Sequence, residues 1–289
     1  MSKPVIVGAD GSEAATAAIE WAADDAARAG LPLRIVTAVY RSPHDAPKFP
    51  GPRWADKVTR TADEVLADAE TTAKTRQPGI EVTRSLVEGG AADVLRDQAE
   101  EAAELVVGSR GLGGFAGAVL GSVSLHVVGH VPAPVVVVRE TPEHVYGEIV
   151  VGVDDSDACE PALAYAFEQA RLRGAGLRAI HAWHLPVQVF APGMAPQVPY
   201  DYDMEDLRIA EHNIATAKLA LWEVKYPEVT VTVQAPCAHP VEALTEASGT
   251  ADLLVVGSHG RGGFASAILG SVSRGVLHHA RSAVAIVRA

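Results

Sequence analysis

A chain of 289 residues, 48% hydrophobic and 21% charged, has the apolar content to bury a core and is too apolar for a disordered one. Its length leaves open one large domain or two of ordinary size. A formal net charge of -12 repels phosphate backbones, and no basic patch offsets it, so a nucleic-acid partner is not expected.

Taken in chain order, Val5 to Gly8 reads as a first strand, followed by a helix from about Glu13 to Ala29 that Ser12 can N-cap and Gly30 can end. Leu33 to Tyr40 is a second strand. The Pro-rich stretch Arg41 to Trp54 reads as a long loop, then come a helix from about Asp56 to Thr75, a strand Glu81 to Val87, a helix Ala92 to Ala103 and a strand Leu105 to Val107. Pro134 to Arg139 makes the last strand of this half. Short β-branched runs alternating with Ala-rich helical stretches predict βαβ units and a parallel sheet.

The second half repeats the first. Residues 106 to 139 and 255 to 288 are identical at about 20 of 34 positions. Val5 to Ser12 likewise returns as Ile149 to Ser156. The fold expected is two tandem α/β/α sandwich domains, each with a mostly parallel, Rossmann-like five-stranded sheet, over residues 1 to 140 and 148 to 289. Glu140 to Gly147, without apolar period and holding a Pro and a Gly, is the linker. An insertion in the second copy falls in Leu185 to Met204.

Each copy carries G-x2-G-x9-G-S between an apolar strand and a helix start: Gly108, Gly111, Gly121 and Ser122, then Gly257, Gly260, Gly270 and Ser271. A helix N-terminus offers unpaired N–H groups and partial positive charge, and glycines let the backbone approach phosphate oxygens. Val123 and Ser124, with Val272 and Ser273, continue each first turn, and the serines add hydroxyls. The alternative reading is that each glycine merely turns the chain.

This pattern, with Asp10 and Asp154 closing the first strand of each copy, resembles the ATP-binding branch of the universal stress protein family over nearly the whole chain. The resemblance implies that the glycines and following hydroxyl residues hold phosphates and ribose. It implies that Asp10 and Asp154 frame the adenosine and that Ala38 and Ala182 lie near the adenine. It further implies ATP as ligand, with Mg²⁺, and a role as a nucleotide-dependent regulator in stress or growth arrest. Single-domain members form homodimers, so the two copies should pack as an intramolecular pseudo-dimer through their last strands, and two such chains can assemble further. The copies differ where Arg110 becomes His259, Leu112 becomes Arg261 and Gly11 becomes Asp155. Asp155 would repel phosphate or recruit Mg²⁺, and Arg261 could offset it.

Other signals point away from chemistry. Neither loop has the Lys of a Walker motif, and the first strand's end lacks the S-G-G-x-D-S pattern of adenylating enzymes. No catalytic set is visible, so the chain reads as a binding protein; a slow Mg-dependent ATP hydrolase and a nucleotide-free interaction module are the alternatives. His278 and His279, adjacent on one helix, point about 100° apart and do not suit one metal ion with His239. Cys159 and Cys237 form no CxxC pair, which fits a reduced, cytoplasmic setting, and acidic neighbours should keep Cys159 inert. The start lacks a signal peptide's apolar run. The apolar stretch Gly114 to Val138 is interrupted by serines, histidines and prolines and is not a membrane span. Trp21, Trp183 and Trp222 are expected in the core.

Overall fold

The computed structural model describes residues 2–39, 52–112, 120–140, 144–184, 204–260 and 269–288, with the side chains of 52–60 left aside. The first copy comprises β1 (Val5–Gly8), α1 (Glu13–Ala29), β2 (Leu33–Val39), α2 (Pro52–Arg76), β3 (Val82–Glu88), α3 (Ala91–Ala99), β4 (Glu104–Gly108), α4 (Ser122–Val128) and β5 (Val135–Val138). The second comprises β6 (Glu148–Gly152), α5 (Glu160–Arg173), β7 (Gly176–Ile180), α6 (Met204–Lys225), β8 (Val231–Gln234), α7 (Pro240–Ser248), β9 (Leu253–Gly257), α8 (Ser271–His279) and β10 (Ala283–Val287). Tyr40 and most of the two expected long loops lie outside the described residues.

Local chemistry sets the element ends. The Ser12 hydroxyl accepts the Ala15 N–H at 3.2 Å and caps α1, and Gly30 closes that helix in the left-handed region at φ 64°. Gly174 closes α5 in the same way at φ 60°. Helix α3 stops at Ala99, four residues short of the expected end, because the chain must turn to enter β4 one residue early, at Glu104.

All ten strands form one sheet in the order β3-β2-β1-β4-β5-β10-β9-β6-β7-β8. Every neighbouring pair is parallel except β5 with β10, which run antiparallel with Val137 opposite Val284, Val136 opposite Ala285 and Val135 opposite Ile286. The expected pairing of the last strands is therefore present, and it fuses the two half-sheets. Central strands are buried on both faces by helices, which accounts for runs such as Val135–Val138 with no polar residue. The new outer edges, β3 and β8, carry Thr83, Arg84 and Glu88 or Thr232 and Gln234, and such polar edges resist further pairing. Trp21 and Trp183 are buried; Trp222 is half-buried, stacking on Phe167 and donating to Glu160 at 2.9 Å.

Contacts flanking the β5–β10 seam follow the pseudo-twofold relation. Arg139 of the first copy donates to the Leu277 carbonyl near the end of α8, and Arg288 of the second donates to the Gly129 carbonyl after α4 at 3.2 Å. Each guanidinium thus supports a helix C-terminus of the other copy. Beyond the seam, α1 meets α5, where Arg173 lies 4.3 Å from the Trp21 ring centroid and pairs with Asp25 at 2.5 Å.

Beside this contact, symmetry fails. Glu104 is buried in β4 where the second copy has Leu253, and Tyr165 of α5 donates to its Oε2 at 2.7 Å. Asp25 Oδ1 also takes Arg28 at 2.7 Å, but Asp25 Oδ2 and Glu104 Oε1 are buried oxygens without a hydrogen-bond partner. A proton held between the two carboxyls accounts for both. Burial, then the neighbouring Asp25 charge, pushes the Glu104 carboxyl up from its ordinary 4.5 to about 8.

A carboxyl whose folded-state value is raised contributes stability that is full below pH 4.5 and is lost as pH climbs through about 8. Glu104→Gln keeps an acceptor for Tyr165 and a donor for Asp25 without an ionisable proton. It should melt close to wild type at pH 4.5 and several degrees above it at pH 9, in thermal scans across that range. Parallel melting curves at every pH would refute the shared proton.

Candidate functional site

The strand order dictates where a ligand can sit. In each copy the chain moves outward in opposite directions from two adjacent parallel strands, β1 and β4 in the first and β6 and β9 in the second. The connecting helices diverge there, and a crevice opens beyond the strands' carboxyl ends. Asp10 and Asp154 follow β1 and β6, and the glycine loops follow β4 and β9, so sequence-distant motifs converge on these crevices.

In the second copy the crevice is a cleft of about 480 Å³. All eight residues expected of this site line it: Asp154, Ala182, Gly257, Gly260, Gly270, Ser271, Val272 and Ser273. Pro240 and Leu244 of α7, with Ile180 and Val256, add an apolar wall. The first copy places Asp10, Ala38, Gly108, Gly111, Gly121, Ser122, Val123 and Ser124 at the matching positions of β1, β2, β4 and α4. Residues 113–119 and 261–268, including Arg261, lie outside the described residues.

The loops are built identically. The Gly121 N–H donates to the Ser109 carbonyl at 2.7 Å, and the Gly270 N–H to the Ser258 carbonyl at 2.8 Å. Ser124 and Ser273 are buried, and their hydroxyls donate to the Gly108 and Gly257 carbonyls, each at 2.6 Å. In this structure these two hydroxyl protons hold the loop, whereas Ser122 and Ser271 are exposed. Leu125 and Arg274 make the first helical bonds back to Gly121 and Gly270 at 3.0 Å. The N–H groups of 122–124 and 271–273 therefore have no partner within their helices, and neither N-cap glycine supplies a side chain.

The first-strand carboxylates stand against these loops, and Asp10 bonds to its own. Asp10 accepts the Ser12 N–H on Oδ1 at 2.9 Å and the Leu112 N–H on Oδ2 at 3.1 Å. Asp154 Oδ1 accepts both the N–H and the hydroxyl of Ser156, at 3.0 and 2.6 Å. A Cβ on Gly111 would stand 2.5 Å from Asp10 Oδ2, and one on Gly260 would collide with Asp154 Oδ2. These two glycines are small because a carboxylate occupies the space.

Gly108 has a different reason. A Cβ there would meet the Ala14 backbone at 2.7 Å, so its size serves the packing of β4 on α1. Asp155 is exposed and is not among the described residues that line the cleft. Among the described residues no group of three His, Cys, Asp or Glu side chains could hold a metal ion. His239 instead caps α7, accepting the Val241 N–H at 3.3 Å. Cys159 is buried, and burial first, then the Asp154 charge, pushes its thiol up to about 11.

Two residues escaped the sequence reading. Arg274 puts a cation on the cleft wall where the first copy has Leu125, and a helical surface position gave no signal for it. His181, buried beside Ala182, contacts the Val153 carbonyl through Nδ1 at 3.0 Å and Glu211 of α6 through Nε2 at 2.9 Å. Thr37 does the first of these jobs in the other copy, donating to the Ala9 carbonyl at 2.9 Å.

The glycine geometry separates folding from binding. Gly108→Ala should cost about 1–3 kcal/mol of stability by overpacking against backbone. Gly121→Ala, whose nearest new neighbour is 3.4 Å away, should cost less than about 0.5 kcal/mol. Urea unfolding of both variants checks this, and equal losses would contradict it.

The family model described as the universal stress protein family matches residues 1–139 and again 146–288. A universal stress protein of Mycobacterium tuberculosis (strain ATCC 25618 / H37Rv) is 36% identical over 301 residues, an alignment covering 100% of this chain and 99% of the relative. Another from the same strain is 36% identical over 295 residues, covering 98% and 96%. The crystal structure of a universal stress protein from Archaeoglobus fulgidus DSM 4304 shares the fold, with a TM-score of 0.69 at 20% identity over 99% of this chain and 97% of that one. No helix among the described residues is long and apolar enough to cross a membrane. With two matches that together span nearly all of its length, the chain belongs to the universal stress protein family.

Proposed function

We propose that this protein binds ATP at the two crevices and acts as a nucleotide-dependent regulator in the cytoplasm, with residues 1–140 and 148–289 as the two binding units. The observation that carries this reading is the convergence, in one 480 Å³ cleft, of an apolar wall, a carboxylate and an uncapped helix start. The apolar wall of Ile180, Ala182 and Leu244 suits a purine. The N–H groups of Ser271, Val272 and Ser273 suit phosphate oxygens, and Asp154 suits the ribose hydroxyls. Mg²⁺ would arrive on the phosphates and keep most of its waters, since Asp154 is the carboxylate lining the cleft.

The two sites are unequal in this reading. Arg274 adds a charge-assisted contact at the second that Leu125 cannot make at the first. The binding role is favoured over hydrolysis because both Asp10 and Asp154 already accept backbone N–H groups, which holds them as clamps rather than as bases for an attacking water.

Mass spectrometry of the denatured, freshly purified protein should release adenine nucleotide, and calorimetry should resolve two affinities. Ser271→Asp places a carboxylate at an N-terminal helix position, where it favours the helix but repels phosphate. It should fold normally and weaken the tighter site at least about tenfold, or roughly 1.4 kcal/mol. Unchanged ATP affinity in a folded Ser271→Asp protein would overturn the placement, and multiple ATP turnovers per second would overturn the binding-only role.

A further inference from the structure

Helix α6 has two apolar faces. One, with Ala215 and Leu219, is buried on the sheet side. The other consists of Leu207, Ala210, Ile214, Ala217, Leu221 and Val224, whose alternating spacing of three and four is that of a helix-pairing seam. Leu207 is half-buried and the other five are exposed, Leu221 at 83% and Val224 at 81%.

The fold does not require this surface. Helix α2 occupies the same place in the first copy, aligned by the prolines at 78 and 227 that follow each helix. There the positions equivalent to 210, 214, 217, 221 and 224 are Thr61, Val65, Asp68, Thr72 and Thr75. One duplicated surface is thus polar in one copy and continuously apolar in the other. Its polar positions mix Glu205, Asp206, Glu211 and Glu223 with Arg208, Lys218 and Lys225, so it lacks the basic face that an anionic membrane selects.

We propose that this seam joins two copies of the chain, α6 packing antiparallel on α6 of the second copy about a twofold axis between residues 215 and 216. That axis stacks Leu207 on the second copy's Val224, Ala210 on its Leu221 and Ile214 on its Ala217. Two of these three layers set a large side chain against an alanine, so the helices approach closely without voids. A parallel pair would stack Ile214 on itself and Ala217 on itself, crowding one layer and emptying the next. Along one flank, Glu211 of each copy falls between the same two layers as Lys218 of the other, an opposite-charge match made twice by symmetry. Each keeps its own intrachain partner, His181 or Glu160. The other flank places uncharged Asn213 and Ala220 beside the central layers. A single helix pair buries less than the roughly 1,600 Å² of a standard interface, so the dimer depends on concentration.

Sedimentation velocity of the full chain from about 1 μM to about 1 mM should show monomer passing to dimer. Leu221→Asp, an exposed substitution, should remain monomeric where wild type is half dimeric. A wild type that stays monomeric throughout, or a Leu221→Asp protein that dimerises equally well, would overturn the seam. Orientation is tested by Ala210→Cys beside Ala217→Cys, each in a Cys237→Ser background, which removes the exposed native thiol. Residue 217 meets its counterpart in either orientation, so mild oxidation at dimerising concentration should link the Ala217→Cys dimer; residue 210 lies about 16 Å from its counterpart in the antiparallel pair and against it in a parallel one, so a linked Ala210→Cys dimer would overturn the antiparallel arrangement.

Discussion

The antiparallel ladder between β5 and β10 is the constraint on which the rest depends. Each half-sheet ends in a short run of apolar residues, Val135–Val138 or Ala283–Val287, that would be an exposed and aggregation-prone edge by itself. Pairing the two edges removes both and leaves only the polar strands β3 and β8 outside. It also brings α1 against α5 and puts Arg139 and Arg288 within reach of the opposite copy's helix ends. The crevices then open at opposite ends of a continuous sheet, each at its own reversal of strand order.

That arrangement explains why the site could be assembled from residues far apart in sequence. A parallel strand must be followed by a crossover, so within each half-sheet every βα junction appears at the same end. Asp10 and the loop after Gly108 are therefore neighbours by topology, and the hydrogen bond from Leu112 to Asp10 is the local consequence. The clamp in turn explains two of the glycines, since a side chain at 111 or 260 would displace a carboxylate.

Much of this was legible in the sequence because it rests on local or repeated signals. The duplication, the Ser12 and Gly30 caps, and the glycine loops between strand and helix are all readable from neighbours or from comparison of the halves. The pairing of the last strands was legible because both were short and apolar. What could not be read was strand order, and with it every contact made across the fold. Gly108 looked like a phosphate glycine because its neighbour Ala14 is distant in sequence. Glu104 looked like a residue before a strand because nothing local announces Tyr165 as its partner. Leu244 and Pro240 gave no motif at all, since an apolar wall is indistinguishable from core until the cleft is seen.

The differences between the copies follow a physical pattern. The glycine-loop segments are largely unchanged between the copies, whereas several of the differences fall where one copy meets something the other does not. Glu104 opposes Tyr165 across the internal interface, while its counterpart Leu253 is packed in apolar core. Thr37 ties β2 to the Ala9 carbonyl alone, while His181 ties β7 to Val153 and also to α6. That extra bond matters because α6 is the helix with the apolar outer face and Ala182 lines the cleft. The chain from Ala182 through His181 and Glu211 to α6 is continuous in hydrogen bonds and covalent structure. In the first copy Thr37 offers one hydroxyl, spent on the Ala9 carbonyl, where the His181 ring has two nitrogens and so reaches both the strand and a helix. A duplicated fold has in this way acquired one half in which the strand beside the candidate crevice is hydrogen-bonded to an outer helix.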